Sequence, residues 1–510
     1  MEDGWDVFEK HILILSCSGK PIFSKHGDEQ ELVTNFGLLQ AVFSIVHGSG
    51  DTLRSISAGK RKILYIVRDT LYFVIISSTG EPDAVLCKQL EFAYSQILLI
   101  LTSQVHRVLE NNSSKDLRYL LGSDSTKLMK TITSTDIATK TVLLDSLQAL
   151  PMHSIVRYKI LSQMRSCMEN SNAAACLLLC GEKLIMHLTN PSSELSFGSP
   201  DFTLLSTLVS SSSSLRSHEQ NWVPICLPYF NADAYLQAYV AHFLLSETRG
   251  SKNSISLVLV SNTSDPESFR VLHSARTFFE EEISKSCTAA EIKRSIDEEK
   301  YRLSKYRYSF LAMHYFFKWS STQDKDSSVR LVPAQYVSSD WDSTCTDEEK
   351  SIAYAVYYQN AVRLRSGTSI SEHSLGKNDG DQTMNEATCS SIVERYTKRW
   401  RQYDASIPLN VPIKSLSRYA YSIRKELSTH SNRNCLHLPN VLQLLPLSNH
   451  SLVYTCTSNH TVIGLASCDS ELHVCLPSMI EPLHACSLAN GLFHSLKADS
   501  DDLFQTVNHC

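Results

Sequence analysis

The first places to look for chemistry are pairs of nucleophilic and basic side chains. His484 and Cys486 supply a base and a thiol. Two residues apart on one helix they point in different directions, so neither can activate the other. Cys176 and Cys180 fall inside an apolar strand, where thiols pack rather than ligate metal. The chain contains no HExxH, no GxxxxGK[ST] and no GxGxxG, so the zinc-protease, P-loop and dinucleotide-binding classes have no signature here. Gly48 and Gly50 lack phosphate-binding spacing and read as hairpin or helix-exit glycines. The acidic runs Glu280 to Glu282 and Asp297 to Glu299 read as solvated helix faces. The expectation is a chain with no catalytic residue, no cofactor and no metal site.

One stretch carries a different kind of chemistry. Between Ser391 and Glu426 eight basic residues (Arg395, Lys398, Arg399, Arg401, Lys414, Arg418, Arg424, Lys425) face three acidic ones (Glu394, Asp404, Glu426), interleaved with Tyr396, Trp400 and Tyr403. Basic side chains with interfacial aromatics suit an anionic membrane surface, each charge adding on the order of 1 kcal/mol near it. Arg395, Lys398, Arg399, Trp400 and Arg401 are the expected contact; a solvated loop is the competing reading.

The elements that must position such groups follow from composition and period. A chain of 510 residues exceeds what one core usually organises, and 43% hydrophobic with 20% charged residues is the composition of a folded protein. A net charge of −5 gives no reason to expect nucleic acid as a partner. Apolar runs such as Leu71 to Ile76 and Ile97 to Leu101 are a fraction of the ~20 residues that span a bilayer. The first ten residues lack the pattern of a signal peptide, and fifteen cysteines without a CxxC pair suit reduced thiols, so a cytosolic protein is expected.

Residues 11 to 120 read as strand, strand, helix, three strands, helix. His11 to Cys17 and Lys20 to Lys25 form a hairpin around Ser18-Gly19, and Leu32, Phe36, Leu39, Phe43 and Val46 make the core stripe of a helix. Arg54 to Ala58, Ile63 to Val67 and Leu71 to Ser77 are strands, and Asp83 to Leu109 is one long amphipathic helix. The order returns twice. A polar helical connector over 122 to 172 precedes a hairpin around Gly181-Glu182, a helix from about Asp201, the serine tract Ser210 to Ser214 as a loop, three strands, and a helix from Pro266 to Ser286. The third round starts with strands at Arg307 to Trp319 and Val329 to Val332, then a helix from Asp347 to Arg365 with Asp347 available as N-cap. Its last three strands, at 451 to 456, 461 to 466 and 471 to 476, and a helix from Met479 to Leu496, come only after an insertion.

Four quoted segments are more specific than any fold requirement: LSCSGKPIFSKHGDE at 15 to 29, RSI at 54 to 56, DLRYLLGSD at 116 to 124, and SSSSSLRSHEQNWVPICLPYFNADAYLQAYV at 210 to 240. Together they resemble the SAND or Mon-one family of endosomal and vacuolar fusion proteins, with W-x-P-x-C-L-P-x-F-N the most distinctive piece. The resemblance implies an α+β chain of three longin-like domains, each an antiparallel five-stranded sheet flanked by helices. The expected boundaries are 1–121 for the first longin domain, 122–172 for the connector, 173–300 for the second longin domain, and 301–510 for the third, interrupted at about 366–450.

It further implies a subunit that pairs with a second three-longin protein, Ccz-one, to form a guanine nucleotide exchange factor for the late-endosomal Rab GTPase. No covalent catalysis is then expected, and exchange activity belongs only to the complex. An early-endosomal Rab and an anionic phosphoinositide membrane are further expected contacts, with the protein peripheral on endosomal, late-endosomal or vacuolar membranes. A longin adaptor or tether without exchange activity is the alternative. For the GTPase or partner surface, polar or small positions beside the first helix stripe and on the third strand qualify: Asn35, Gly37, Gln40, Arg54, Ser55 and Ser57.

Overall fold

The computed structural model describes residues 9–26, 33–112, 146–190, 197–244, 254–320, 333–365 and 451–506, apart from short breaks within them, and a few positions between 115 and 121. The chain divides into two compact units, the first made of residues 1–303, 318–338 and 498–510, the second of 304–317 and 339–497.

The first unit contains two sheets of the same topology. In the first, β1 (Lys10–Ser16) and β2 (Pro21–Ser24) form the hairpin, α1 (Val33–Gly48) follows, and β3 (Ser55–Ala58), β4 (Arg61–Arg68) and β5 (Leu71–Ser77) complete the order β2-β1-β5-β4-β3. Every pairing in it is antiparallel, with Leu13 opposite Val74 at its centre. Alternation divides its side chains. Ile12, Ile14, Phe73 and Ile75 face α2 (Asp83–Leu101), while Leu13, Leu15, Val74 and Ile76 face α1 through Leu39.

The expected helix from Asp83 to Leu109 is two. Thr102 takes a φ of 56°, and α3 (Gln104–Asn111) starts anew two residues later. Periodicity continues through the break because Val105 and Leu109 of α3 return to the same core as Ile97, which is why the stripe reads as unbroken.

The second sheet repeats the plan. β6 (Leu147–Gln148) and α4 (Ser154–Ser171) lead to β7 (Ala175–Cys180) and β8 (Lys183–Thr189), then α5 (Ser199–Ser211), β9 (Gln220–Ile225), the short α6 (Pro228–Asn231), β10 (Leu236–Leu244) and β11 (Ser254–Ser261). Its order is β8-β7-β11-β10-β9. One face packs on α4, α7 (Pro266–Lys285) and α8 (Thr288–Ser304), the other on α5 and α2, so β7 is buried along its whole length. The helix read as a polar connector, α4, thus puts Ile160, Met164 and Cys167 into this core. The serine tract is helical to Ser211; Ser213 and Ser214 lie outside the described residues.

In the second unit β12 (His314–Trp319) starts later than Arg307, since α8 runs to Ser304. The strand expected at Val329 to Val332 lies outside the described residues, and β13 is Gln335–Ser338, paired with β6 within the first unit. After α9 (Asp347–Arg365) come β14 (Ser451–Cys456), β15 (His460–Ala466), β16 (Ser470–Pro477) and α10 (Pro482–Ala498), the same order of elements a third time. Asp347 is not the cap of α9. Thr346 and Glu349 form a reciprocal capping box, the Glu349 N–H donating to Thr346 Oγ1 and the Thr346 N–H to Glu349 Oε2, while Asp347 pairs with Lys350. A stacked pair, His314 on Trp341 at 4.3 Å, and the Trp341 indole donating to Tyr354 Oη fill this unit's aromatic core.

α2 is long and apolar enough to cross a membrane by length and composition, which the apolar runs in the sequence did not suggest. Its apolarity has a local cause, because it serves two cores. Leu86, Leu90, Ala93 and Ile97 face the first sheet, and Phe92 and Leu99 enter the core of the second.

At the other end of the first domain, Lys10 is buried and its Nζ donates to Glu81 Oε1 at 2.6 Å, with Gln89 and Thr79 completing the carboxylate's partners. Removing one member of such a pair strands a buried charge and costs about 3 kcal/mol, whereas replacing both is close to neutral. Lys10→Met should lower unfolding free energy by roughly that 3 kcal/mol, and Lys10→Met with Glu81→Leu should recover most of it. Urea titrations of the two single variants and the double variant check this.

Candidate partner interface

The second longin domain shows how the first helix of each repeat is normally covered. Its α5 buries Asp201, Phe202, Leu204, Leu205 and Val209 and packs against α2 of the first domain. The distinctive W-x-P-x-C-L-P-x-F-N motif builds this joint. The Cys226 N–H donates to Leu99 O at 3.0 Å, and Tyr235 Oη donates to Ile100 O at 3.0 Å. The Ser103 N–H donates to Ala232 O at 2.8 Å, and Ser103 Oγ bonds Asp233. The carbonyls that α2 would leave unpaired at its end are thereby answered by the second domain. Phe230 meets Phe197 edge-on at 5.2 Å, and the Tyr229 N–H donates to Asp201 Oδ1, fixing α6 against α5.

Among the described residues, α1 is the counterpart without such a cover. Its sixteen residues, VTNFGLLQAVFSIVHG, contain no Asp, Glu, Lys or Arg. Leu39 and Phe43 are buried on the sheet, the Phe43 ring tilted against Tyr72 with 4.5 Å between centroids. Leu38 is 62% exposed and Ile45 73% exposed, one on each side of exposed Ala41 and half-buried Val42. The outward stripe Leu38, Ala41, Val42 and Ile45 is apolar and without a charge, the character of a helix face that another surface covers. Beyond β4, β3 is the outermost strand of the sheet; its Ser55 and Ser57 are exposed and Ile56 packs inward.

The six positions expected at this surface divide. Arg54 just before β3, Ser55 and Ser57 on it and Gly37 on α1 are exposed, and Asn35 lies in the first turn of α1. Gln40 turns inward: its Nε2 donates to Cys17 O at 2.8 Å and its side chain fills the space beside Gly19, whose φ is +80°. A Cβ on Gly19 would meet Gln40 Oε1 at 1.8 Å, so the hairpin and α1 fit together only with glycine there. Sequence reasoning missed Leu38 and Ile45. The available signal was the helix's lack of charge on any face.

The expected membrane residues Arg395, Lys398, Arg399, Trp400 and Arg401, and the insertion around them, lie outside the described residues. Among the described residues no three His, Cys, Asp or Glu side chains converge as a metal site. Cys176 and Cys180 are buried, and burial pushes both thiols up, Cys180 to about 11, so they stay protonated as core side chains. The acidic runs make ion pairs along the helix surface and beyond it: Glu280 with Arg276, Glu281 with Lys285, Glu298 with Arg294 and Arg302, and Glu299 with Lys183.

The first unit thus holds two domains of one strand order that share α2, and among the described residues the outer side of α1 and the edge of β3 carry no cover. Residues 10–132 match the family model described as the first longin domain of FUZ, MON1 and HPS1, and residues 172–281 match the second longin domain of the same group. A rice (Oryza sativa subsp. japonica) vacuolar fusion protein MON1 homolog is 34% identical over 299 residues, 59% of this chain and 50% of the relative. The protein SAND of Takifugu rubripes is 29% identical over 58% of this chain and 54% of its own length, and the human MON1 homolog A 30% over 56% and 42%. The chain is thus similar to the MON1 and SAND vacuolar fusion proteins, the group its quoted segments resemble, and spans about half the length of the curated relatives it matches.

Asp201, buried at the joint, has its carboxyl pushed up to about 6 by burial, against the pull of the N–H donors of Tyr229 and Phe230. A folded-state value above the unfolded one means that its contribution to stability is fully present below pH ~4 and is lost as pH rises through about 6. Asp201→Asn should flatten that segment of the stability profile and raise the melting temperature at pH 7.5, by the equivalent of about 2 kcal/mol. Thermal unfolding of both proteins from pH 4 to 8 measures it.

Proposed function

We propose that this chain is one subunit of a guanine nucleotide exchange factor for a late-endosomal Rab GTPase, and that its obligate partner, Ccz-one, covers the outer side of α1 and the edge of β3. The observation that carries the reading is the charge-free α1 with Leu38 and Ile45 in solvent, set against the covered α5 of the second domain. The vacuolar fusion names of the relatives support the process in which the pair would act.

The work asked of such a surface is conformational. A Rab holds its nucleotide through phosphate contacts and a magnesium ion, and its switch segments order only around them. A surface that prefers the opened switch lowers nucleotide affinity by the same factor by which it favours the empty GTPase, without acid, base or nucleophile. In this reading Arg54, just before β3, and Ser55 and Ser57 on it lie at the margin of the partner interface, where the GTPase meets both subunits. The stretch containing Arg395, Lys398, Arg399, Trp400 and Arg401 holds the complex to an anionic phosphoinositide membrane, and an early-endosomal Rab recruits it there.

Release of fluorescent GDP from the Rab should be accelerated by the co-purified pair and not by this chain alone. Leu38→Glu with Ile45→Glu should leave the melting temperature of the isolated chain within a degree or two, since both side chains are exposed, and weaken the pair at least about a hundredfold. An intact pair that leaves GDP release unchanged would refute exchange and favour the adaptor or tether. Undiminished pairing by the double variant would remove α1 from the interface.

A further inference from the structure

The β8 edge of the second sheet ought to present unpaired backbone groups, yet it is closed by other parts of the same compact unit. Leu184 O accepts from the Leu150 N–H at 2.8 Å, and Ile185 O accepts from Arg157 Nη1 at 2.8 Å. His187 is closed in an unusual way, by a side chain. The Gln505 amide accepts from the His187 N–H at 2.8 Å and donates to its carbonyl at 2.7 Å, as a neighbouring strand would.

The segment that delivers Gln505 runs from Asp499 to Thr506 and includes α11 (Ser500–Leu503). Each of its central residues is read by a separate device. Asp502 sits at the N-terminus of α4: its Oδ1 accepts from the Ser154 N–H at 2.9 Å, its carbonyl accepts from the Met152 N–H at 2.9 Å, and His153 Nδ1 lies 3.3 Å from Oδ2. A carboxylate at that position is favoured by the helix dipole. The Leu503 carbonyl accepts from Arg157 Nη2 at 3.1 Å. Phe504, fully buried, stacks on Trp319 with 6.2 Å between rings. Gln335 then answers the main chain of Gln505, its Nε2 donating to the carbonyl at 2.8 Å and its Oε1 accepting from the N–H at 3.0 Å.

Arg157 is the centre of this arrangement. It is fully buried and donates to three backbone carbonyls, those of Leu150, Ile185 and Leu503. Burial draws it down to about 9, which leaves it a cation at neutral pH. A buried guanidinium that uses one of its donors on the arriving segment is a receptor group for main chain, and the combination of acid, apolar, aromatic and amide subsites is how an edge recognises a short peptide.

We propose that the β8 edge of the second longin domain is a peptide-binding site whose resident ligand is the segment Asp499–Thr506, held in cis and exchangeable for another peptide of the chemistry Asp-Leu-Phe-Gln. The site is separate from α1 and β3, and the proposal stands without the exchange-factor reading.

The test uses the full chain with Asp502→Ala and Gln505→Ala, which weakens the resident segment but leaves its receptor residues in place. A fluorescein-labelled peptide of the sequence Asp499 to Thr506 should bind this variant at least tenfold more tightly than the unaltered chain, as read by anisotropy. The same peptide with alanine for its glutamine should lose at least tenfold. Equal binding to both chains, or none to a variant with an unchanged circular dichroism spectrum, would overturn the proposal and leave the segment a fixed brace. If the double variant does not fold, amide hydrogen exchange of the single variant Gln505→Ala decides. Faster exchange of at least tenfold confined to His187 and Met152 supports a separable ligand, and faster exchange spread through β7 and β11 overturns it.

Discussion

The first unit is organised by one helix that belongs to two cores. α2 lies on the first sheet through Leu86, Leu90 and Ile97 and enters the second domain through Phe92 and Leu99. Its end is where the sharing becomes specific. Thr102 leaves helical geometry, so that the carbonyls of Leu99 and Ile100 are free to accept from Cys226 and Tyr235. A buried carbonyl without a donor is expensive, and each domain therefore satisfies the other's backbone as well as covering its apolar surface.

From that sharing follows the asymmetry between the repeats. The two five-stranded sheets have the same strand order and the same hairpin-first chain path. In the second domain the helix after the hairpin is covered by α2, and the β8 edge is closed by Arg157 and Gln505. In the first domain the corresponding helix keeps Leu38 and Ile45 in solvent, and among the described residues β3 has no strand beyond it. One scaffold thus provides a closed domain and an open one. The apolar surface remaining on the open domain is the kind that association with another protein buries.

Buried polar groups mark the places where the chain must fit in only one way. Lys10 with Glu81 ties the first strand to the residues just before α2, Asp201 ties α5 to α6, and Arg157 gathers three carbonyls from distant segments. Each would cost several kcal/mol if its partners were missing, so each selects the native arrangement over near alternatives.

Periodicity alone was enough for the repeated order of strands and helices, because one-sided burial on a sheet or a helix imposes periods of 2 and 3.6 that composition must follow. Leu39 and Phe43 as core, the hairpin at Gly181 and the capped helix from Pro266 all belong to that local grammar. The specific segments carried the family. What the sequence could not decide was which apolar faces find partners within the chain. Leu99 and Leu38 are the same residue type on equally apolar helices, yet one is buried by a domain more than a hundred residues away and the other is left in water. The break at Thr102 and the inward turn of Gln40 escaped for the same reason, since each depends on which donor or carbonyl arrives from elsewhere, whereas the Thr346–Glu349 capping box is a local T-x-x-E pattern that the sequence did carry. Burial is a property of the assembled tertiary structure, and only there do equal residues acquire unequal roles.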